Sequence, residues 1–225
     1  MSRPALYDIS RPLSTRLAGW PGDTPLDLRL AWEQSRGASV NVGALTLSVH
    51  SGTHADAPFH FDAAGQTVDA LPLDAFLGPA CVLDVTRAKS KITLGDLAPV
   101  ADILPAAPRL LLRTGGWPNS ARFPEAVPVL DAPTIVPFLA ARGVVLVGLD
   151  LPSFDVLDST DLPVHRALAG AGIQLLEGLD LSAVPLDEKG AAVFELIALP
   201  LLLVGADGAP VRAVLRNTGK TSPRV

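Results

Sequence analysis

With one cysteine in 225 residues, the chain cannot close an intramolecular disulfide, which fits a reducing compartment. Basic runs are missing: lysine and arginine never cluster beyond pairs, and 18 basic against 23 acidic residues give a formal charge of −5. Nucleic-acid partners ordinarily demand a basic face, so none is expected. Long apolar runs are missing too. The longest, Leu196 to Val204, is interrupted by Pro200 and falls far short of the ~20 residues a membrane span needs. No continuous apolar stretch follows Arg3 in MSRPALYDISRPLST, so a secretory leader is not expected. These absences predict a cytoplasmic protein with neither a membrane nor a nucleic-acid partner. Histidine is also scarce, with four residues in the whole chain.

Hydrophobic residues make up 48% of the sequence, enough for a substantial core, and no repeat or low-complexity linker divides it. One domain over 1–225 is the expectation. Twenty-one prolines and nineteen glycines cut the chain into short elements. Ala80 to Val85, Arg109 to Arg113 and Val144 to Val147 read as strands, the last two buried on both faces. Leu45, Leu47 and Val49 alternate with polar residues, which predicts a half-buried strand with His50 on its polar face. Thr134 to Arg142 reads as a helix stopped by Gly143, and Pro163 to Ala169 as another with Asp161 as its N-cap. In the tail, Phe194 to Val204 reads as a strand that turns at Asp207-Gly208 and returns as Val211 to Leu215. The fold class this predicts is mixed α/β, a curved sheet or barrel-like core flanked by helices.

Three of the four histidines fall in one stretch, VHSGTHADAPFHF, from Val49 to Phe61. For His50 and His54 to share a metal ion the chain must bend between them. At ~3.3 Å per residue a straight strand would hold them roughly 13 Å apart. Gly52 stands where the bend is needed. His54 and Asp56 are two apart, so they point to one side of an extended segment, and Pro58 then redirects the chain toward His60. Imidazole with carboxylate suits Zn²⁺, and also Mn²⁺, Co²⁺ or Fe²⁺. The helical H-E-x-x-H arrangement is excluded by the glycine and proline.

Other readings carry less. A lone histidine is usually a core or surface residue, but three with an aspartate around a glycine bend are harder to dismiss. Ser51, His54 and Asp56 are too close on one extended segment to chain nucleophile to base to orienter, and there is no G-x-S-x-G elbow. Cys81, within Pro-Ala-Cys-Val-Leu, has the setting of a buried strand residue. Glu177 sits among Leu175, Leu176 and Leu179, and a carboxylate in apolar company needs a partner.

The segment from His50 to Phe61 matches H-x-G-T-H-x-D-x-P-x-H-F at every fixed position. It thereby resembles the cyclase-like metal-dependent hydrolases, whose best-known members are the bacterial kynurenine formamidases (arylformamidases). The likeness extends to Tyr7-Asp8-Ile9-Ser10, Trp20-Pro21-Gly22-Asp23, Leu112-Arg113-Thr114-Gly115, Gly148 to Ser153, Pro163-Val164-His165 and Leu176-Glu177-Gly178-Leu179. It implies a swivelling β/β/α-like fold and a homodimer. It also implies two metal sites, His50, His54 and Asp56 for one, Asp56, His165 and Glu177 for the other, with two zinc ions per subunit and Asp56 bridging. His60 matches the family's catalytic histidine, the residue type suited to moving protons near neutrality. The implied reaction is hydrolysis of N-formyl-L-kynurenine to L-kynurenine and formate, a step of tryptophan degradation. An aromatic substrate calls for an aromatic wall, for which Trp20 and then Phe59 are candidates. The alternatives are another amide, such as the cyclic amide isatin, or a metal-binding protein without catalysis. The double glycine in Thr114-Gly115-Gly116-Trp117 departs from the family pattern and bears on loop shape.

Overall fold

The computed structural model describes residues 5–217, so Arg3 lies outside the described residues. Along the chain the strands are β1 (Leu6–Asp8), β2 (Asp27–Trp32), β3 (Val42–Thr46), β4 (His54–Asp56), β5 (Leu77–Asp84), β6 (Lys91–Ile92), β7 (Arg109–Arg113) and β8 (Val129–Leu130). Helix α1 (Ala132–Ala140) follows, then β9 (Leu146–Leu149), helix α2 (Pro163–Gly170), β10 (Gln174–Glu177), β11 (Ala191–Ile197), β12 (Gly208–Pro210) and β13 (Val214–Arg216). Nine strands form one strongly curled mixed sheet in the order β1-β13-β11-β5-β7-β9-β10-β4-β12. The parallel pairs β5–β7, β7–β9 and β9–β10 make its centre, and antiparallel strands complete both sides.

Continuous apolar runs occupy that centre because both faces are covered. Cys81, Leu83, Leu110, Leu112, Val147, Leu149 and Leu175 face a layer that contains Ile135 and Leu139 of α1 and Val164 and Leu168 of α2. The alternate residues Ala80, Val82, Leu111, Leu146 and Leu176 face a second cluster with Phe76, Phe194, Leu196 and Leu215. Each fully buried leucine here contributes about 1.5–3 kcal/mol relative to exposure. Cys81 is buried, as its apolar setting predicts, and burial pushes its thiol pKa up to about 12. Among the described residues no helix is long and apolar enough to cross a membrane.

Four local expectations need correction. The strand expected to run from Leu45 to His50 ends at Thr46, and His50 sits in a turn closed by the Ser51 N–H on the Ser48 carbonyl at 3.0 Å. That strand, β3, pairs only with β2, outside the main sheet, and its Leu45 is 52% exposed. Alternation there marks an apolar face that is left exposed among the described residues. Helix α1 begins and ends two residues before its expected span, though Gly143 does adopt the positive φ of a helix stop, +69°.

Asp161 does not cap α2. The N-cap is Leu162, and the carboxylate of Asp155 receives the N–H groups of Val164 and His165 instead. Burial of Val164, His165 and Leu168 draws the helix inward and lets a residue outside the local sequence do the capping. In the tail, β11 stops at Ile197 and β13 returns antiparallel beside it. Asp207-Gly208, however, is not the tight turn between them. Gly208 begins β12, which pairs with β4, because β4 offers an open edge there.

Candidate metal centre

Gly52 makes the bend that the histidine spacing requires, with φ at +67°. His54 opens β4 just beyond it, and Asp56 follows on the same face. Strand β10 runs antiparallel alongside, with Glu177 opposite His54 and Leu175 opposite Asp56. Leu175 belongs to the helix-covered layer, so the carboxylates and His54 open toward α2. From there His165, third residue of that helix, reaches in.

The side chains converge tightly. His50 Nδ1 lies 2.9 Å and His54 Nε2 3.3 Å from Asp56 Oδ1, while His165 Nε2 lies 3.4 Å from Asp56 Oδ2. Glu177 likewise spans the centre, Oε2 at 3.4 Å from His54 Nε2 and Oε1 at 3.1 Å from His165 Nε2. Two triads result, His50-His54-Asp56 and Asp56-His165-Glu177, each with its donor atoms within 4.8 Å of one another. His54, Asp56, His165 and Glu177 are all buried.

Each imidazole has a second partner that orients it. His54 Nδ1 donates to the Gly52 carbonyl at 3.1 Å, and His165 Nδ1 to Asp155 Oδ2 at 2.6 Å, leaving each Nε2 turned to the carboxylates. His50 Nε2 meets Asp207 Oδ2 at 2.9 Å. Such outer partners fix ring orientation in metal-ligating histidines. The Phe154 N–H, donating to Glu177 Oε1 at 3.0 Å, holds that carboxylate in place.

The electrostatics show what the cluster demands. Burial disfavours charge on His54, but Asp56 and Glu177 outweigh it and raise its pKa to about 10. His165 is pushed up to about 12, burial again being overcome by Asp155, Asp56 and Glu177. Asp56 is held well below the usual carboxylate range: burial opposes ionisation, and the three histidines prevail. Buried carboxylates in this arrangement call for positive charge, from protons on the rings or from cations among them. Imidazole and carboxylate donors at this spacing fit divalent metal ions.

A cavity of about 280 Å³ opens onto the cluster, lined by His50, His54, His165 and Glu177 on its floor and by His60 at its side. Trp20, Trp117 and Phe123 form an aromatic wall, with ring centroids 5.2 Å apart for Trp20–Phe123 and 6.2 Å for Trp117–Phe123. Arg11 supports that wall from behind. Its guanidinium lies 4.2 Å from the Trp117 ring centroid and donates to the carbonyls of Trp117 and Asp150. The Asp150 carboxylate in turn receives the N–H groups of Thr114 and Gly115. The double-glycine loop therefore shapes the cavity itself.

All six residues expected at the centre, His50, His54, Asp56, His60, His165 and Glu177, come together, and Trp20 faces the same cavity. Phe59 does not: it is 40% exposed and outside the cavity lining, since the turn after Pro58 points His60 inward instead. Sequence reasoning missed Asp155, Asp207, Trp117 and Phe123. No local signal pointed to Asp155, because Asp161 lies nearer the helix start and is a sound cap by type; for Asp207 the Asp-Gly pair signalled only a turn.

Known proteins resemble this chain in sequence and in fold. The family described as "Putative cyclase" matches residues 7–156. Kynurenine formamidase of Geobacillus thermodenitrificans is 47% identical over 212 residues, covering 94% of this chain and 97% of that protein. The Bacillus cereus kynurenine formamidase is 45% identical, covering 93% and 96%. Among solved structures, a potential metal-dependent hydrolase with cyclase activity superposes with a TM-score of 0.77 at 27% identity, covering 95% of this chain and 98% of that one. Isatin hydrolase A from Labrenzia aggregata shares the fold, with a TM-score of 0.78 at 23% identity over 96% and 94%.

Proposed function

The chain belongs to the cyclase family matched by its residues 7–156, and from that membership we propose that it is a metal-dependent arylformamidase. Its substrate is N-formyl-L-kynurenine, cleaved to L-kynurenine and formate in tryptophan degradation. Kynurenine formamidases at 45–47% identity over nearly the whole chain support the substrate. The observation that carries the chemistry is the convergence of two largely buried histidine–carboxylate triads with His60 on one aromatic-walled cavity.

In this reading His50, His54 and Asp56 hold one ion, and Asp56, His165 and Glu177 a second. The ions are zinc, with Mn²⁺ as another metal the donors suit. Bound there, they would polarise the formyl carbonyl and make water a stronger nucleophile at neutral pH. The chain's own residues do the rest. Asp56 and Glu177 each present one oxygen to either triad and so keep the two at fixed separation. His60 has Nδ1 directed at Asp207, 3.2 Å away, which leaves Nε2 free to take a proton from the attacking water and pass it to the departing aryl nitrogen. Trp20, with Phe123 and Trp117 behind it, stacks the substrate ring and keeps bulk water from that side.

The proposal extends to a one-domain cytoplasmic homodimer. The main sheet draws strands from Leu6 to Arg216, which supports one domain over 1–225. Leu28, Leu30, Trp32, Val42 and Leu45 give the β2–β3 ribbon an exposed apolar surface, of the kind a second copy would cover. Light scattering should then give twice the 23.4 kDa chain mass.

Formate release from N-formyl-L-kynurenine tests the function, measured with zinc and again after chelation. Metal-dependent release supports it. Metal bound without release would sink the formamidase claim, and turnover of isatin by the same sample would move the substrate to a cyclic amide.

A further inference from the structure

We propose that Asp207 is a positioning residue for the hydrolysis, holding His60 and His50 through one carboxylate oxygen. The role rests on His60 being the proton-transfer group proposed above. Asp207 Oδ2 lies 3.2 Å from His60 Nδ1 and 2.9 Å from His50 Nε2. The two rings lie against each other, centroids 4.0 Å apart and planes inclined at 41°. An ionised carboxylate only accepts hydrogen bonds, so both of those nitrogens must carry the proton. For His60 this selects the Nδ1–H tautomer and frees Nε2. For His50 it directs Nδ1 to Asp56, the arrangement in which outer carboxylates orient ligating histidines.

The backbone around Asp207 is built for this contact. Its carbonyl accepts the Ala57 N–H at 2.9 Å, and the preceding carbonyl, that of Ala206, accepts the Val68 N–H at 2.9 Å. Gly208 then enters β12 opposite Asp56. A Cβ on Gly208 would lie 2.8 Å from His50 Cε1 and 3.0 Å from the Ala55 carbonyl oxygen. The His50 ring thus packs on bare Cα, and the Asp-Gly pair supplies both the acceptor and the room beside it.

His50, His60 and Asp207 also meet the spacing of a metal triad, so the test must separate ligation from positioning. With four histidines in the chain, long-range ¹H–¹⁵N spectra of histidine-labelled protein can resolve each ring, assigned through His50→Ala and His60→Ala. The expected result is a protonated His60 Nδ1 in both metal-free and zinc-loaded protein, lost in Asp207→Ala. Zinc replacing that proton would make His60 a ligand and overturn the proposal, as would an unchanged tautomer in Asp207→Ala. Kinetics at saturating zinc give the second arm. Asp207→Ala should lower kcat about 10–100-fold with KM little changed, but by clearly less in a His60→Ala background, where only the His50 contact is left to lose and coupled residues are not additive. Equal losses in both backgrounds would refute action through His60. If the wild-type protein releases no formate, the function fails by itself, and the spectra still decide the Asp207 contact.

Discussion

Alanine at Gly178 should damage this protein more than alanine at Gly172, although the two glycines share a backbone conformation. Their φ angles are +64° and +73°, so either substitution carries the left-handed penalty of about 1–2 kcal/mol. At Gly172 a Cβ would meet nothing within 4 Å, whereas at Gly178 it would overlap the Gly52 carbonyl oxygen and press on the Gly52 carbonyl carbon, 2.8 Å away. The obstacle is backbone, so relief requires β10 or the Gly52 bend to shift, and forced repacking of that kind costs about 1–3 kcal/mol. Gly178→Ala should therefore cost about 2–5 kcal/mol in total, against about 1–2 for Gly172→Ala. The shift also reaches the metal centre directly. Thr53 Oγ1 donates to the Gly178 carbonyl at 2.6 Å, Gly52 orients His54, and Glu177 precedes Gly178 in the chain. Urea unfolding of both variants after chelation reads the first effect. Zinc titration reads the second, where Gly178→Ala should bind about tenfold or more weakly and Gly172→Ala like wild type. Equal destabilisation and equal zinc affinity in the two would refute the idea that the approach of these backbones sets the site.

Trp20→Ala should raise KM for N-formyl-L-kynurenine about 2–10-fold with kcat nearly constant, as expected for loss of one aromatic contact worth about 0.5–1.5 kcal/mol; an unchanged KM in steady-state assays would remove Trp20 from the substrate wall. Asp155→Asn should weaken zinc binding about 10–100-fold while the fold persists, because it disturbs the partner of His165 Nδ1 without touching a ligand. Competition with a fluorescent chelator, with circular dichroism alongside, would measure both. Asp84 gives a pH test away from the centre. Burial raises its pKa, but Thr86 and Arg113, the latter 2.7 Å away, win and leave it lowered. A lowered folded-state pKa means stability present above the unfolded value of about 3.9 and lost as pH falls through the folded one. Asp84→Asn should thus cost about 1 kcal/mol near pH 7, discounted for partial exposure, and its melting curve should converge on wild type below about pH 4. A gap that persists into acid would assign the effect to packing.

Where a segment's surroundings repeat its own chemistry, the sequence was easy to read. Arg109–Arg113 is a strand at the bounds expected, and Leu146–Leu149 lies within two residues of them, since both are apolar on two faces and covered on both. The errors fall where a distant segment decides. Leu45, Leu47 and Val49 alternate like a core strand, yet the ribbon they start in leaves the main sheet and keeps Leu45 exposed. Asp161 is a sound cap by type, but Asp155 reaches the helix N-terminus first. Asp207-Gly208 has turn chemistry, and the open edge of β4 recruits it as strand instead.

The same division runs through the centre itself. The residues that would ligate lie largely in one legible stretch, because a Gly52 bend and an i,i+2 pair bring His50, His54 and Asp56 together whatever surrounds them. What orients the imidazoles is mostly not local. His54 leans on Gly52 two residues away, but His165 depends on Asp155 across a loop and His50 on Asp207, 157 residues later in the chain. A segment carrying the histidine motif alone would retain the donor atoms and lose the tautomers, with His60 free to take either. The β12–β4 register, Gly208 opposite Asp56, is therefore as much a part of this site as the motif. Slipping it by one residue would exchange the faces of the alternating side chains and carry the Asp207 carboxylate away from both rings.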